Sequence, residues 1–193
     1  MSHASKFLKE TAEIAKLLDA DKVEEMVQEL VSLRERGGRL FVLGLGGSAA
    51  NASHAVNDFR KLCGIEAYAP TDNVAELTAR ANDSSWDGWM LEYLDAQVSF
   101  KDALLVLSVG GGTDEVSIPI SNTVSRYGAI VGGARILGIV GRKKGKTQQY
   151  GDCVIIIPKV EKSRITPHTE GWQSVILHAI VSHPDLQRNK TKW

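Results

Sequence analysis

The chain has 193 residues, 43% of them hydrophobic and 24% charged, with 23 basic and 23 acidic side chains. That length carries a full core, and the composition is ordinary for a globular protein. A formal net charge of zero argues against a general nucleic-acid binder, which carries a basic excess. Two cysteines, Cys63 and Cys153, supply neither a disulfide framework nor metal-motif spacing. No signal-peptide core opens the chain, and no apolar run approaches the roughly 20 residues of a membrane span. The expectation is a cytoplasmic protein with no membrane partner. The basic clusters Arg142–Lys146 and Arg188–Lys192 are short and read as a solvated loop and tail.

In chain order, residues 3–18 carry Phe7, Leu8, Thr11, Ile14, Leu17 and Leu18 at helical spacing. Asp19 or Asp21 can cap a second helix with the stripe Val23, Met26, Val27, Leu30, Val31 and Leu33, stopped at Gly37-Gly38. These two apolar stripes need the sheet or another subunit to pack on. Leu40–Leu43 reads as a strand covered on both faces. A glycine turn and a helix over 49–63 follow. Ile65–Ala69 reads as a second strand, and Thr71 or Asp72 caps a helix to about Arg80. Asn82–Ser85 reads as a turn and Trp86–Val98 as a helix. Ala103–Ser108 is the next buried strand, ending in a second glycine turn, with Asp114 opening a helix. Arg135–Val140 and Cys153–Pro158 read as strands, with a short helix over Gly145–Tyr150 between them. A last helix spans about His168–His183. His3 is expected outside ordered structure, and the segment 128–134 has no assignment.

Strands alternating with helices predict an α/β fold: a three-layer α/β/α sandwich around a doubly wound central parallel sheet. Residues 1–36 form a helical pair, and 37–193 form the core of one single domain. Ligands of such sheets bind beyond the C-terminal strand ends, where both glycine turns lie.

The first turn is Gly44-Leu-Gly-Gly-Ser48. Glycine backbone, free N–H groups and a helix N-terminus make a prepared anion site, and the same glycines also serve a plain tight turn. It matches a dinucleotide fingerprint only superficially, because position 49 is Ala and no acid ends the next strand. No nucleotide cofactor is expected. The second turn, Ser108-Val-Gly-Gly-Gly-Thr113, reads better as a backbone nest around phosphate than as a turn alone. His54 and Asp58, four apart, share a helix face and suit an acid/base pair or a metal. With Glu170 and His178 they make an N/O donor set fit for Zn²⁺. Glu170 and His178 are eight apart, about 12 Å along a helix, so both reach one ion only by leaning together or at a subunit boundary.

At these residues the chain resembles the sugar isomerase (SIS) fold and, within it, the sedoheptulose-7-phosphate (phosphoheptose) isomerases. The likeness runs through the two leading helices, Gly-x-Gly-Gly-Ser48, the His54/Asp58 pair, Asn82-Asp83, the 108–113 turn and the closing helix with His178. It implies an aldose–ketose isomerase converting sedoheptulose 7-phosphate to D-glycero-D-manno-heptose 7-phosphate through an enediol, in heptose biosynthesis. Ser48, Ser108 and Thr113 would grip the phosphate, together with Gly46, Gly47, Gly110, Gly111 and Gly112. Asn51, Asp83 and Glu170 would meet the rest of the substrate. Asp58 and His178 would be catalytic. His54, Asp58, Glu170 and His178 would hold zinc. The resemblance also implies a homotetramer whose active sites are built from adjacent subunits. The family carries Asn at Leu45, Glu at Asp58, Gln at Glu170, and more Ser and Thr over 109–112. The alternative within the fold is a non-catalytic sugar-phosphate sensor or partner-binding regulatory tetramer.

Overall fold

The computed structural model describes residues 1–190; the end of the basic tail, including Lys192, lies outside them. Five strands form one parallel sheet in the order β2-β1-β3-β4-β5. They are β1 (Leu40–Leu43), β2 (Ala67–Tyr68), β3 (Ala103–Ser108), β4 (Arg135–Val140) and β5 (Cys153–Ile156). The chain steps outward from β1 to β2, then returns past β1 to lay down β3 on its other side, with Leu43 beside Val106. The winding direction reverses between β1 and β3, and such a switch point opens a crevice at the C-terminal strand ends.

Alternating strand residues feed two separate cores. Leu40, Val42, Leu105, Leu107, Leu137 and Ile139 face α2 (Ala20–Glu35), α3 (Gly47–Cys63) and α8 (Ile165–Val181). Phe41, Leu43, Leu104, Val106 and Ile136 face the other side. There they meet α5 (Trp89–Asp95) and α6 (Ile118–Gly128), flanked by α4 (Val74–Asp83) and α7 (Lys146–Tyr150). This period of two with both faces buried is what a doubly wound parallel sheet requires. The three-layer architecture is therefore the one expected.

The leading helices divide the work. Asp19 caps α2 by accepting from the Lys22 N–H, and Met26, Val27, Leu30 and Leu33 are buried against the sheet and α8. By contrast α1 (His3–Leu17) buries only Ile14 and leaves Leu8 and Leu17 exposed. Polar contacts pin it instead. Arg164 holds Glu10 at 2.6 Å, the His168 Nε2 lies 2.9 Å from Glu10, and Phe7 stacks on His168 with ring centroids 4.3 Å apart.

Several boundaries differ from expectation. His3 lies inside α1, where Ser2 caps the helix. The second strand shortens to Ala67–Tyr68 because it is an edge that pairs with β1 alone. Pro70–Asp72 is a 3₁₀ turn, and Asn73 rather than Thr71 or Asp72 caps α4. That helix continues through Asn82-Asp83. Asp114 does not open a helix. Residues 114–117 are turn, Ser117 is left-handed at φ 57°, and α6 begins with Ile118-Pro119. Segment 128–134 ends α6 and enters β4; Gly128 is required there because a Cβ would stand 2.5 Å from the Tyr150 side chain.

Candidate active site

Both glycine turns leave adjacent strands at the switch point. After β1, Gly46 takes φ 61° and ψ −130° as the N-cap of α3, a conformation that favours glycine. This aims the first N–H groups of α3, which have no helical acceptor, toward the crevice. After β3, the Ser108 hydroxyl accepts from the Gly111 N–H at 3.0 Å. Gly112, at φ 73°, lies so close to α6 that a Cβ would meet the Ser121 nitrogen at 2.8 Å. Its carbonyl accepts from the Lys146 N–H at 2.8 Å, and the Gly111 carbonyl accepts from the Thr147 hydroxyl at 2.8 Å.

Between the turns lies a cleft of about 680 Å³ lined by Leu45, Ser48, Ser108, Gly110, Thr113 and Glu170. Asp114, Glu115, Arg142 and Lys144 line it too. The hydroxyls expected to grip phosphate already have partners. Ser48, 2% exposed, donates to Gln173 Oε1 at 3.0 Å. Thr113 accepts from the Val116 N–H at 3.0 Å. Asn51 donates to the Glu170 carbonyl at 2.9 Å and to Gln173 Oε1 at 3.1 Å. Among the described residues, Arg142 and Lys144 are cleft cations without an ion pair. The Glu170 carboxylate stands over Gly47, where a Cβ would meet it at 2.5 Å. The negative charge at the N-terminus of α3 is thus the chain's own. Asp83 is exposed at the end of α4, accepts from Asn82 at 2.8 Å, and does not line this cleft.

The second cluster sits on the paired helices α3 and α8, away from the cleft lining. His54 Nε2 and His178 Nε2 are 3.0 Å apart. Asp58 Oδ2 is 3.3 Å from the first and 3.8 Å from the second. Asp58 is buried while both imidazoles are half exposed, and Asn57 donates to Asp58 Oδ1 at 3.0 Å. These three donor atoms are the potential metal group among the described residues. Ligand atoms about 2.0–2.1 Å from a tetrahedral zinc ion lie about 3.3 Å from one another, so the spacing fits such an ion. Asp58, one methylene shorter than a glutamate, still reaches. Glu170 is not part of the group; it lies about 12 Å back along α8 at the α3 N-terminus.

Sequence reasoning missed Gln173. It is fully buried, and its amide also donates to the Ile139 carbonyl at 3.3 Å, joining α3 and α8 to β4. A lone glutamine in an apolar helix carries no motif; only its place on the buried face of α8 could have marked it.

No family model matches the chain. A phosphoheptose isomerase of Pelobacter propionicus is 26% identical over 161 residues, which are 81% of this chain and 80% of that protein. One from Syntrophotalea carbinolica is 26% identical over 167 residues, 82% of this chain and 78% of that protein. The chain is thus similar along most of its length to proteins named phosphoheptose isomerase. The solved phosphoheptose isomerase from Neisseria gonorrhoeae matches with a TM-score of 0.78 at 20% identity, covering 92% of this chain and 95% of that one. That likeness assigns the sugar isomerase fold, in agreement with the resemblance. Among the described residues no helix is long and apolar enough to cross a membrane.

Proposed function

We propose that the protein is a sugar-phosphate isomerase acting on sedoheptulose 7-phosphate. The observation that carries this reading is the convergence of His54, Asp58 and His178 on two helices whose other ends frame a glycine-walled cleft of about 680 Å³. Phosphate enters against the second turn, gripped by the backbone N–H groups of Gly110 and Gly112 and by Arg142 and Lys144, while the Gly111 N–H stays on Ser108. Gly46, Gly47 and Ser48 shape the opposite wall, and Glu170 accepts from sugar hydroxyls. Isomerisation moves one proton between adjacent carbons with no net change in composition. The Asp58 carboxylate takes it from C1, and the same acid returns it to C2 of the enediol. His178 passes the hydroxyl proton between O1 and O2. Asn57 holds Oδ1 of Asp58, and Oδ2 faces the His54 and His178 imidazoles.

His54, Asp58 and His178 would hold the zinc ion. A zinc ion held there would supply Lewis-acid stabilisation of negative charge on the substrate oxygens. Residues 1–193 act as one domain, in the cytoplasm. The separation of Glu170 from His178 supports a homotetramer in which adjacent subunits complete each site. Val175, 52% exposed on α8 between them, suits a covered face.

The test is aldose formation from sedoheptulose 7-phosphate, with and without Zn²⁺. No turnover by the wild type, or full turnover by His178→Ala, overturns the assignment. Elemental analysis tests the metal separately: a protein that binds no Zn²⁺ and gains no stability from it removes the ligand role and leaves the isomerase to be judged by turnover.

A further inference from the structure

The basic run Arg142-Lys-Lys144 borders a second cavity, of about 770 Å³, beyond the C-terminal ends of β4 and β5. Cations reach it from four separate segments. Arg142, Lys143 and Lys144 come from the loop after β4, Lys159 from the loop after β5, Lys162 from the 3₁₀ turn Lys162–Arg164, and Lys22 from the first turn of α2. Lys22 is paired with Glu25 at 2.5 Å. The other five have no ion pair among the described residues, in a chain with equal numbers of acids and bases. The single acid lining the cavity is Asp19, which is committed to capping α2 through the Lys22 N–H at 3.2 Å. Beneath this rim lies an aliphatic floor of Leu17, Ile156, Ile157, Pro158 and Ile165, and Leu17 is 56% exposed.

Like charges gathered without counter-charges repel one another and favour an anion between them. Ile157 is buried in this floor, but the exposed Leu17 and the part-exposed Ile156, Pro158 and Ile165 favour contact with an apolar group. A ligand with a flat ring and a short polyphosphate meets both demands within this volume. We propose that this cavity binds a nucleoside diphosphate, with its base on the aliphatic floor and its phosphates among Lys143, Lys159 and Lys162. This ligand is separate from the sugar phosphate; its binding does not depend on the isomerase reading, and only its coupling to the sugar-phosphate cleft rests on that reading. Arg142 and Lys144 line both cavities. The loop that carries them is tied to the second glycine turn through Lys146 and Thr147. Nucleotide binding therefore acts on the wall of the sugar-phosphate cleft, and by linkage the effect is mutual.

The experiment is calorimetric titration of the purified full chain with ADP, with inorganic pyrophosphate and with sedoheptulose 7-phosphate. Saturable ADP binding below about 1 mM is expected. Lys159→Glu/Lys162→Glu should weaken it by at least about tenfold, and Lys159→Arg/Lys162→Arg by less than about threefold. These side chains are exposed, so unchanged circular dichroism and melting should accompany both variants. Four results overturn the proposal. They are no ADP binding, equal binding by the charge-reversed variant, pyrophosphate binding as tight as ADP, and simple competition between ADP and sedoheptulose 7-phosphate. Binding to anionic phosphatidylglycerol vesicles without ADP binding would assign the patch to a membrane surface and also overturn it.

Discussion

Replacing Gln173 with leucine tests the bridge that aligns α3 and α8. Leucine has a similar volume, so packing is largely kept and polar loss dominates. The Ser48 hydroxyl loses its acceptor in a site only 2% exposed, which costs about 1–3 kcal/mol. Asn51 keeps its bond to the Glu170 carbonyl and loses the other, and the Ile139 carbonyl loses a 3.3 Å side-chain donor, each worth about 0.5–1 kcal/mol. The added apolar burial returns about 1 kcal/mol. The net destabilisation is about 1–4 kcal/mol, which for this chain length lowers Tm by roughly 2–16 °C. Circular dichroism melts read it directly. Ser48→Ala alone should cost about 1 kcal/mol, and nearly nothing when combined with Gln173→Leu. A Tm within about 1 °C of wild type, or strict additivity of the two substitutions, would refute the reasoning.

Three further outcomes are expected. Arg164 and then His168 hold the Glu10 carboxyl down from 4.5 to about 2, so its contribution to stability is full above about pH 4.5 and is lost as pH falls toward 2. Glu10→Gln should flatten the acid limb of a stability–pH curve in that window, and an unchanged limb would count against the pairing. Burial pushes the Cys63 and Cys153 thiols up to about 12, so neither should react with a thiol reagent at pH 8 until the protein is unfolded. Rapid labelling of the native protein would contradict this. Gly112→Ala should lower stability by about 1–3 kcal/mol in urea titration, from a left-handed φ and the contact with the Ser121 nitrogen. A change below about 0.5 kcal/mol would show that the turn relaxes freely.

The layers and strands were legible because hydrophobic period and length report burial directly. Within the strands Ala103–Ser108 and Arg135–Val140, residues 103–107 and 136–140 are unbroken by any polar side chain, and both strands have the expected ends. Helix starts were less so. Asp114 looks like a cap, yet Thr113 turns the chain by its own side chain and Pro119 fits best in the first turn of α6. At the site, His54 and Asp58 were linked by a local rule, four residues on one helix. His178 joined them through packing of α3 on α8, which spacing along the chain does not encode. The same packing took Glu170 out of the group, because one straight helix holds it and His178 about 12 Å apart. Gln173 had no local signature, and its role follows entirely from three partners distant in sequence.

Glu170 has a consequence for the way a ligand must enter. A helix N-terminus ordinarily welcomes anions, but here the seat beside Gly47 is already taken by a tethered carboxylate. An incoming molecule with one anionic end is repelled there and drawn toward Arg142 and Lys144, which line the cleft together with Asp114 and Glu115. The cleft therefore has a polarity, like a socket that accepts a plug one way round. Molecules charged at both ends should be turned away, so Glu170→Gln would broaden the range of accepted sugar acids and bisphosphates rather than only changing how tightly one sugar is held.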